Sequence, residues 1–565
     1  MTRLRALAAL AALPLALAAP AAAQAPEARF DWFEYTGDDA VYRGLHPAAD
    51  EYLNPVLAGF HPDPSIARAG DDYYLVASSF AYFPGVPIFR SRDLVTWTQI
   101  GNVLDRPSQL NLDSAGISRG IFAPVIRHHA GTFWMITTLV DRGGNFVVTA
   151  TNPAGPWSDP VFLPEVDGID PSLFFDDDGK AYVVNNGPPI GPPLYDGHRA
   201  IWMQEFDAAA KRTTGPRRLM VNGGVDLAKK PIWIEAPHIL KVDGRYYLIC
   251  AEGGTAEQHS EVVFRADSVW GPYVPWSGNP ILTQRHLSPD RPNPITTTGH
   301  ADFVRTPAGE WWAVFLGVRP YRGDHYNNGR ETYLLPVRWT DDGWPVILAG
   351  DDTVPHLRRG PTLPRTGPAP VPMSGDFTAR DDFDASALAP YWVFVRTPRE
   401  RWHSLASGAL TIRARPAALG DQNAQPSFVA RRLQHSHGSA STLVRFRPRA
   451  EGDRAGIAAF HDDRHFYLLS VARTGGRRVV QVEHRSGDAP AAVIATAPLA
   501  GDDDAPVHLQ IRVRGSEVDF LYGRRPGEWT PLKLGADGNT LSTKVAGGFV
   551  GTMLGMYAYS AEGGR

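Results

Sequence analysis

The sequence predicts an all-β fold, a five-bladed β-propeller followed by a β-sandwich, and three observations carry that prediction. A pattern of short apolar strand, Gly or Asp turn and aromatic-rich strand recurs five times between residues 50 and 350. No convincing long segment shows the 3.6-residue period of an amphipathic helix. A run of prolines then leads into a second region of alternating strands broken by Gly/Asp turns. The length of 565 residues suits two domains, because single cores stop growing near ~250–300 residues.

In chain order, Met1 to Gln24 joins a basic start (Arg3, Arg5) to an apolar stretch from Ala6 to Ala19 and small residues at Ala21-Ala22-Ala23. That is the pattern of a signal peptide over residues 1–23, cut after Ala23, so a periplasmic or secreted protein is expected. Its apolar stretch is too short to span a bilayer, and no later window reaches ~18 apolar residues, so no membrane partner is expected. Lys+Arg number 56 against Asp+Glu 60, a net charge of −4 with no basic run, which argues against a nucleic-acid partner. The sole cysteine, Cys250, lies in the apolar run Tyr246–Cys250 and reads as an inert core residue.

Residues 24–50 form a short N-terminal segment, and residues 51–350 carry the repeat. Its turn glycines at 131, 179, 244 and 309 stand 48 to 65 residues apart, about one four-stranded blade per copy. Aligning the copies places Asp63, Phe122, Asp170, Glu235 and His300 at one inward position, where the innermost strands of a propeller converge on the axis. Three of the five are acidic. Strand alternation sets Trp233 on the same face as Glu235, a flat apolar wall beside an acid.

Clustered carboxylates beside ring-sized aromatic surfaces suit hydrolysis of a glycosidic bond, which needs one carboxylate to activate water and one carboxylic acid to protonate the leaving oxygen. Glu235, flanked by Trp233 and Ile234, is the better acid, because desolvation favours its neutral form. Asp63 fits the general base. By exclusion Asp170 is the modulator, a like charge that raises the pKa of the acid. The competing reading is a divalent-metal site made by the same acids with His300. Asp176-Asp177-Asp178-Gly179 looks like a calcium loop but falls at a hairpin turn and lacks the downstream bidentate Glu.

The motifs Asn54-Pro55-Val56-Leu57-Ala58-Gly59-Phe60-His61-Pro62-Asp63-Pro64-Ser65-Ile66, Gly168-Ile169-Asp170-Pro171-Ser172-Leu173 and Glu235-Ala236-Pro237-His238 resemble glycoside hydrolase family 43, chiefly its β-xylosidases and α-L-arabinofuranosidases with a C-terminal sandwich. The resemblance implies an inverting mechanism with Asp63 as base, Asp170 as pKa modulator and Glu235 as acid, and a C-terminal domain like concanavalin A. It implies further that Arg330 hydrogen-bonds the sugar in the innermost subsite, with Phe80 and Thr255 lining that pocket and Phe122 standing where some relatives have Trp. His300 matches a histidine that can hold a structural Ca²⁺, while the chemistry itself requires no cofactor. The expected partners are xylo-oligosaccharides or arabinoxylan fragments, with xylose or arabinofuranose released from non-reducing ends. A carbohydrate-binding propeller without catalysis is the alternative.

Six prolines between 355 and 372 mark residues 351–375 as a stiff linker. Residues 376–565 then read as the sandwich, with runs such as Ser441–Phe446 and His465–Val471. The resemblance has this domain closing the propeller mouth, with Phe549 as its contribution to the pocket. Phe30-Asp31-Trp32-Phe33-Glu34-Tyr35 resembles the last strand of such sandwiches, which suggests that the N-terminal segment crosses over to fill that slot.

Overall fold

The computed structural model describes residues 25–562, and the expected signal peptide of residues 1–23 lies outside them. Five antiparallel sheets, each built from strands close in sequence, form the blades. The first comprises Ser65–Ala69, Asp72–Val76, Gly85–Ser91 and Thr98–Leu104, and the fifth Thr296–Arg305, Trp311–Val318, Glu331–Trp339 and Pro345–Val346. Neighbouring blades bury apolar faces against each other. Cys250, for example, is sealed between the third and fourth blades with Tyr182, Val184 and Leu248, and burial pushes its thiol well above the ordinary range.

Among the described residues no strand is exchanged between the first and last blades, and the ring closes through other contacts. Ser65 Oγ donates to Asp302 Oδ2 at 2.7 Å, and Arg127 forms an ion pair with the same carboxylate at 2.7 Å. Glu51–Leu53, ahead of the first blade, pairs with Leu357–Arg359, after the fifth. The proline-rich segment is thus strapped to the propeller rather than spanning free space. Arg365 bonds the carbonyl of Ala49, Thr366 bonds Asp93, and Met373 joins the core between the first and fifth blades.

The sandwich consists of two eight-stranded sheets. The N-terminal strand Glu27–Gly37 lies inside one of them, paired with Leu410–Arg413 and Thr378–Asp381 on one side and His437–Arg445 on the other. Its alternation, interrupted by a bulge between Phe30 and Phe33, explains the placement: Ala28, Phe30, Phe33 and Tyr35 are buried, with Arg29, Asp31, Trp32 and Glu34 less buried between them. The other sheet ends on Tyr82–Phe83, which leaves the propeller to pair with Val393–Val395. The sandwich core is continuous with the apolar contact between the first two blades. A buried arginine adds a polar tie. Arg319 grips Glu331 with two hydrogen bonds and also bonds Asp39 of the N-terminal segment and the carbonyl of Gln434 in the sandwich. One guanidinium therefore joins three parts of the chain, and its fork geometry is what permits it.

Phe33 stands edge-on to Trp392 with ring centroids 5.1 Å apart and is 1% exposed. Phe33→Ala is expected to destabilise the protein by about 3–5 kcal/mol, read by denaturant unfolding. A loss below about 1 kcal/mol would mean that the sandwich does not depend on this strand.

Candidate active site

The innermost strands of the second to fifth blades enter through a β-bulge, and their registers show which positions are equivalent. In the third blade Ile169 pairs with Asn186 and Ser172 with Val184, so one extra residue is accommodated between them. The same offset separates Phe122 from Val125, Glu235 from His238 and Gly299 from Asp302. The equivalent residues, each two before the resumed pairing, are Asp63, Ala123, Asp170, Ala236 and His300. Phe122 and Glu235 therefore stand one position earlier than the sequence alignment places them. Backbone conformation agrees: Asp63, Asp170, Ala236 and His300 all have φ between 52° and 57°, which costs a non-glycine residue of order 1 kcal/mol or more each. The acidic residue of the fourth blade comes from a different step of the bulge, and its extra methylene gives it reach.

All ten predicted site residues line one cavity of about 380 Å³. Asp63, Asp170 and Glu235 share it with Arg330, Thr255 and His300, and Phe80, Phe122, Trp233 and Phe549 supply its aromatic surface. Phe549 reaches in from the sandwich and stacks on Phe80 at 6.0 Å, while Phe122 packs against both rings. Trp233 lies ahead of the strand Glu235–Val242, so alternation is not what sets it on the wall. Its backbone is left-handed (φ 51°), and its N–H donates to Gly197 O at 2.9 Å. Arg119, Ala123, Ile169 and Gly254 complete the lining. Ile169 lies in the motif around Asp170 without a signal of its own, and Arg119, Ala123 and Gly254 carry none that distinguishes them from ordinary turn or strand residues.

Arg330 organises the charges. Its Nη1 donates to Asp63 Oδ1 and to Thr255 Oγ1, both at 2.9 Å. Ser78, which no sequence signal marked, donates to Asp63 Oδ2 at 2.6 Å. Burial by itself would raise the Asp63 pKa, but Arg330, then His300 and Ser78, bring it below the usual carboxylate value. Asp170 and Glu235 go the other way. Burial is the main cause for both, and the neighbouring carboxylates add to it, so Glu235 stands well above the ordinary range and Asp170 is raised as well. Burial also lowers the His300 pKa, favouring the neutral imidazole. The pocket thus holds one ionised carboxylate and two that favour their protons.

His300 stands beside Asp63 rather than in a cluster of metal-binding side chains. Its Nδ1 lies 3.6 Å from Asp63 Oδ1, a carboxylate already engaged by Arg330 and Ser78. Among the described residues no three His, Cys, Asp or Glu side chains are grouped to hold a metal, whereas Ca²⁺ takes 6–8 oxygen ligands. The hairpin at Asp176 is a turn as well, with its carboxylate occupied by Lys241 and Tyr246.

A buried pocket that lowers the pKa of one carboxyl and raises those of two others is the equipment of a glycosidase. Comparison with known proteins shows which one. The model for glycosyl hydrolases family 43 matches residues 52–345, and that for the β-xylosidase C-terminal concanavalin A-like domain matches residues 380–565. The chain belongs to glycosyl hydrolase family 43. It is 39% identical over 523 residues to a xylosidase/arabinosidase of Butyrivibrio fibrisolvens, covering 90% of this chain and 95% of the relative. It is 35% identical to a non-reducing end α-L-arabinofuranosidase of Bacteroides ovatus, covering 90% and 92%. Among solved structures, a family 43 glycoside hydrolase retrieved from a capybara gut metagenome superposes with a TM-score of 0.88 at 41% identity, over 95% of this chain and all of the other.

Gly168 shows how tightly the Asp170 loop is held. At φ 105°, a Cβ placed there would lie 1.9 Å from Asn186 O. Gly168→Ala is expected to lower unfolding stability by more than ~1 kcal/mol and to reduce activity with it. Unchanged unfolding and turnover would show that the loop relaxes at no cost.

Proposed function

We propose that this enzyme is an exo-acting, inverting glycosidase that removes xylose or arabinofuranose from the non-reducing ends of xylo-oligosaccharides or arabinoxylan fragments. The observation that carries the reading is the division of charge in one pocket: Asp63 is held ionised by Arg330 and Ser78, while burial keeps a proton on Glu235. The names of the relatives support the two candidate glycones. Phe549 closes one side of the cavity from the sandwich, which favours a chain end over the middle of a polymer.

In this mechanism the Asp63 carboxylate takes a proton from a water that attacks the anomeric carbon. Glu235 gives its proton to the glycosidic oxygen on the opposite side of the ring, and the configuration inverts in one step. Asp170 contributes electrostatically: its nearness disfavours a second charge on Glu235. Arg330 presents a rigid fork of donors to Asp63, Thr255 and the hydroxyls of the bound sugar. Phe80, Phe122 and Phe549 give the sugar ring an apolar enclosure.

Release of nitrophenol from nitrophenyl β-xyloside or nitrophenyl α-arabinofuranoside, assayed in parallel, tests the reading. Hydrolysis of neither, with sugar binding retained, would leave a binding protein. With a β-xyloside the first-formed product followed by NMR should be α-xylose, and β-xylose would contradict inversion.

The pH dependence follows from the charges. Activity is lost on the acid side as Asp63 takes up a proton, below the ~3.9 of an ordinary Asp, and on the basic side as Glu235 loses one, above the ~4.3 of an ordinary Glu. A bell-shaped kcat/KM profile with these limbs is expected. Asp63→Asn should lower kcat on every substrate by about 10²–10⁴-fold. Glu235→Gln should do so on oligosaccharides and cost far less where the leaving group needs no proton, and equal losses on both substrate types would contradict its role.

A further inference from the structure

Behind the Trp233 wall of the pocket runs a polar chain that the chemistry above does not use. Asn186 is fully buried at the end of strand Ala181–Gly187. Its carbonyl packs on Gly168, two residues before Asp170. Its side-chain amide donates at 2.5 Å to the carbonyl of Ile234, the residue before Glu235. Its Oδ1 accepts two hydrogen bonds from Arg199, at 3.0 Å from Nε and 2.7 Å from Nη2. The same guanidinium lies 4.9 Å from the Trp233 ring centre. Arg199 does not line the cavity. It covers Trp233 from outside, while 38% of that residue remains exposed beside the acid.

We propose that Arg199 is a positioning residue for the leaving-group half of the site. It fixes the Trp233 ring as the platform for the departing sugar and, through Asn186, holds the backbone that aims the Glu235 carboxyl at the glycosidic oxygen. The proposal rests on Glu235 being the proton donor. A guanidinium is suited to the task, because its planar fork bonds one partner in the plane and stacks on an aromatic face out of it. An ammonium would do only one of these well.

Charge gives a second readout. Arg199 faces Asp167, Glu235 and Asp170, and Glu235 is faced by Asp170, Asp63, Arg330 and Arg199. Removing the cation at 199 takes away one of the two groups that favour ionised Glu235, so the basic limb of the kcat profile moves to higher pH.

The test compares Arg199→Met and Arg199→Lys with the wild type, using a disaccharide of the preferred glycone and the dinitrophenyl glycoside of the same sugar, whose leaving group needs no proton. Arg199→Met is expected to lower kcat/KM on the disaccharide roughly tenfold or more, to spare the dinitrophenyl substrate, and to shift the basic limb upward. Arg199→Lys should restore the limb without restoring the disaccharide rate. Equal losses on both substrates with an unmoved limb, or no loss on either, would overturn the proposal. Arg199→Gln serves in the same assays if the Met variant does not fold, as judged by thermal unfolding. Glu235→Gln runs alongside. If it too fails to distinguish the substrates, the assignment of Glu235 as acid is what fails. If it distinguishes them and Arg199→Met does not, only the role of Arg199 falls.

Discussion

Three carboxyl groups share one buried cavity in which Arg330 bonds only Asp63, and that imbalance constrains everything else at the site. Three negative charges cannot persist together in a poorly solvated space. Arg330 and Ser78 settle which one stays ionised by bonding both oxygens of Asp63. Asp170 and Glu235, left to burial and mutual repulsion, hold their protons more tightly than free carboxyls do. Carboxyls of opposite proton affinity thus arise from the same residue chemistry through environment alone, the separation that hydrolysis of a glycosidic bond needs.

The fold maintains this arrangement at several levels. Bulges mark the entry of the innermost strands in the second to fifth blades, and a left-handed residue stands at the equivalent position in the first, third, fourth and fifth, where it is Asp63, Asp170, Ala236 and His300, with Glu235 one step aside. Such backbone is tolerated because packed blades and the Ser65–Asp302–Arg127 closure over-determine it. The sandwich completes the enclosure. Its core runs into that of the first two blades, it borrows Tyr82–Phe83 as an edge strand, and it returns Phe549 to the pocket. Arg319 links the N-terminal segment, the fifth blade and the sandwich, so the second domain is part of the active-site architecture and not an appendage.

Much of this is legible in the chain because repetition makes it so. Five copies of one strand-turn-strand pattern give the blade number, and acids within three of them give the site. The alignment error at Phe122 and Glu235 had a visible remedy: placing Pro64, Pro124, Pro171 and Pro237 in one column moves Ala123 and Ala236 to the position of Asp63 and Asp170, as the bulges do. Ser78, Asn186 and Arg199 left no comparable mark, because a lone serine, asparagine or arginine gains its role only when tertiary contacts bring it to Asp63, Ile234 or Trp233. Composition likewise shows the prolines of residues 351–375 as stiff chain, but not the pairing of Leu357–Arg359 with Glu51–Leu53 that turns the segment into a strap.

The account stands or falls on where the protons reside. Carbon-13 labelling of the carboxyl groups, with NMR titration of the intact enzyme and of single Asp63→Asn and Glu235→Gln variants, reads this without substrate. The account predicts one carboxyl titrating below the normal range, absent from the Asp63 variant, and one well above it, absent from the Glu235 variant. Titration of both in the ordinary range of ~3.9–4.3, or the reverse order, would contradict it.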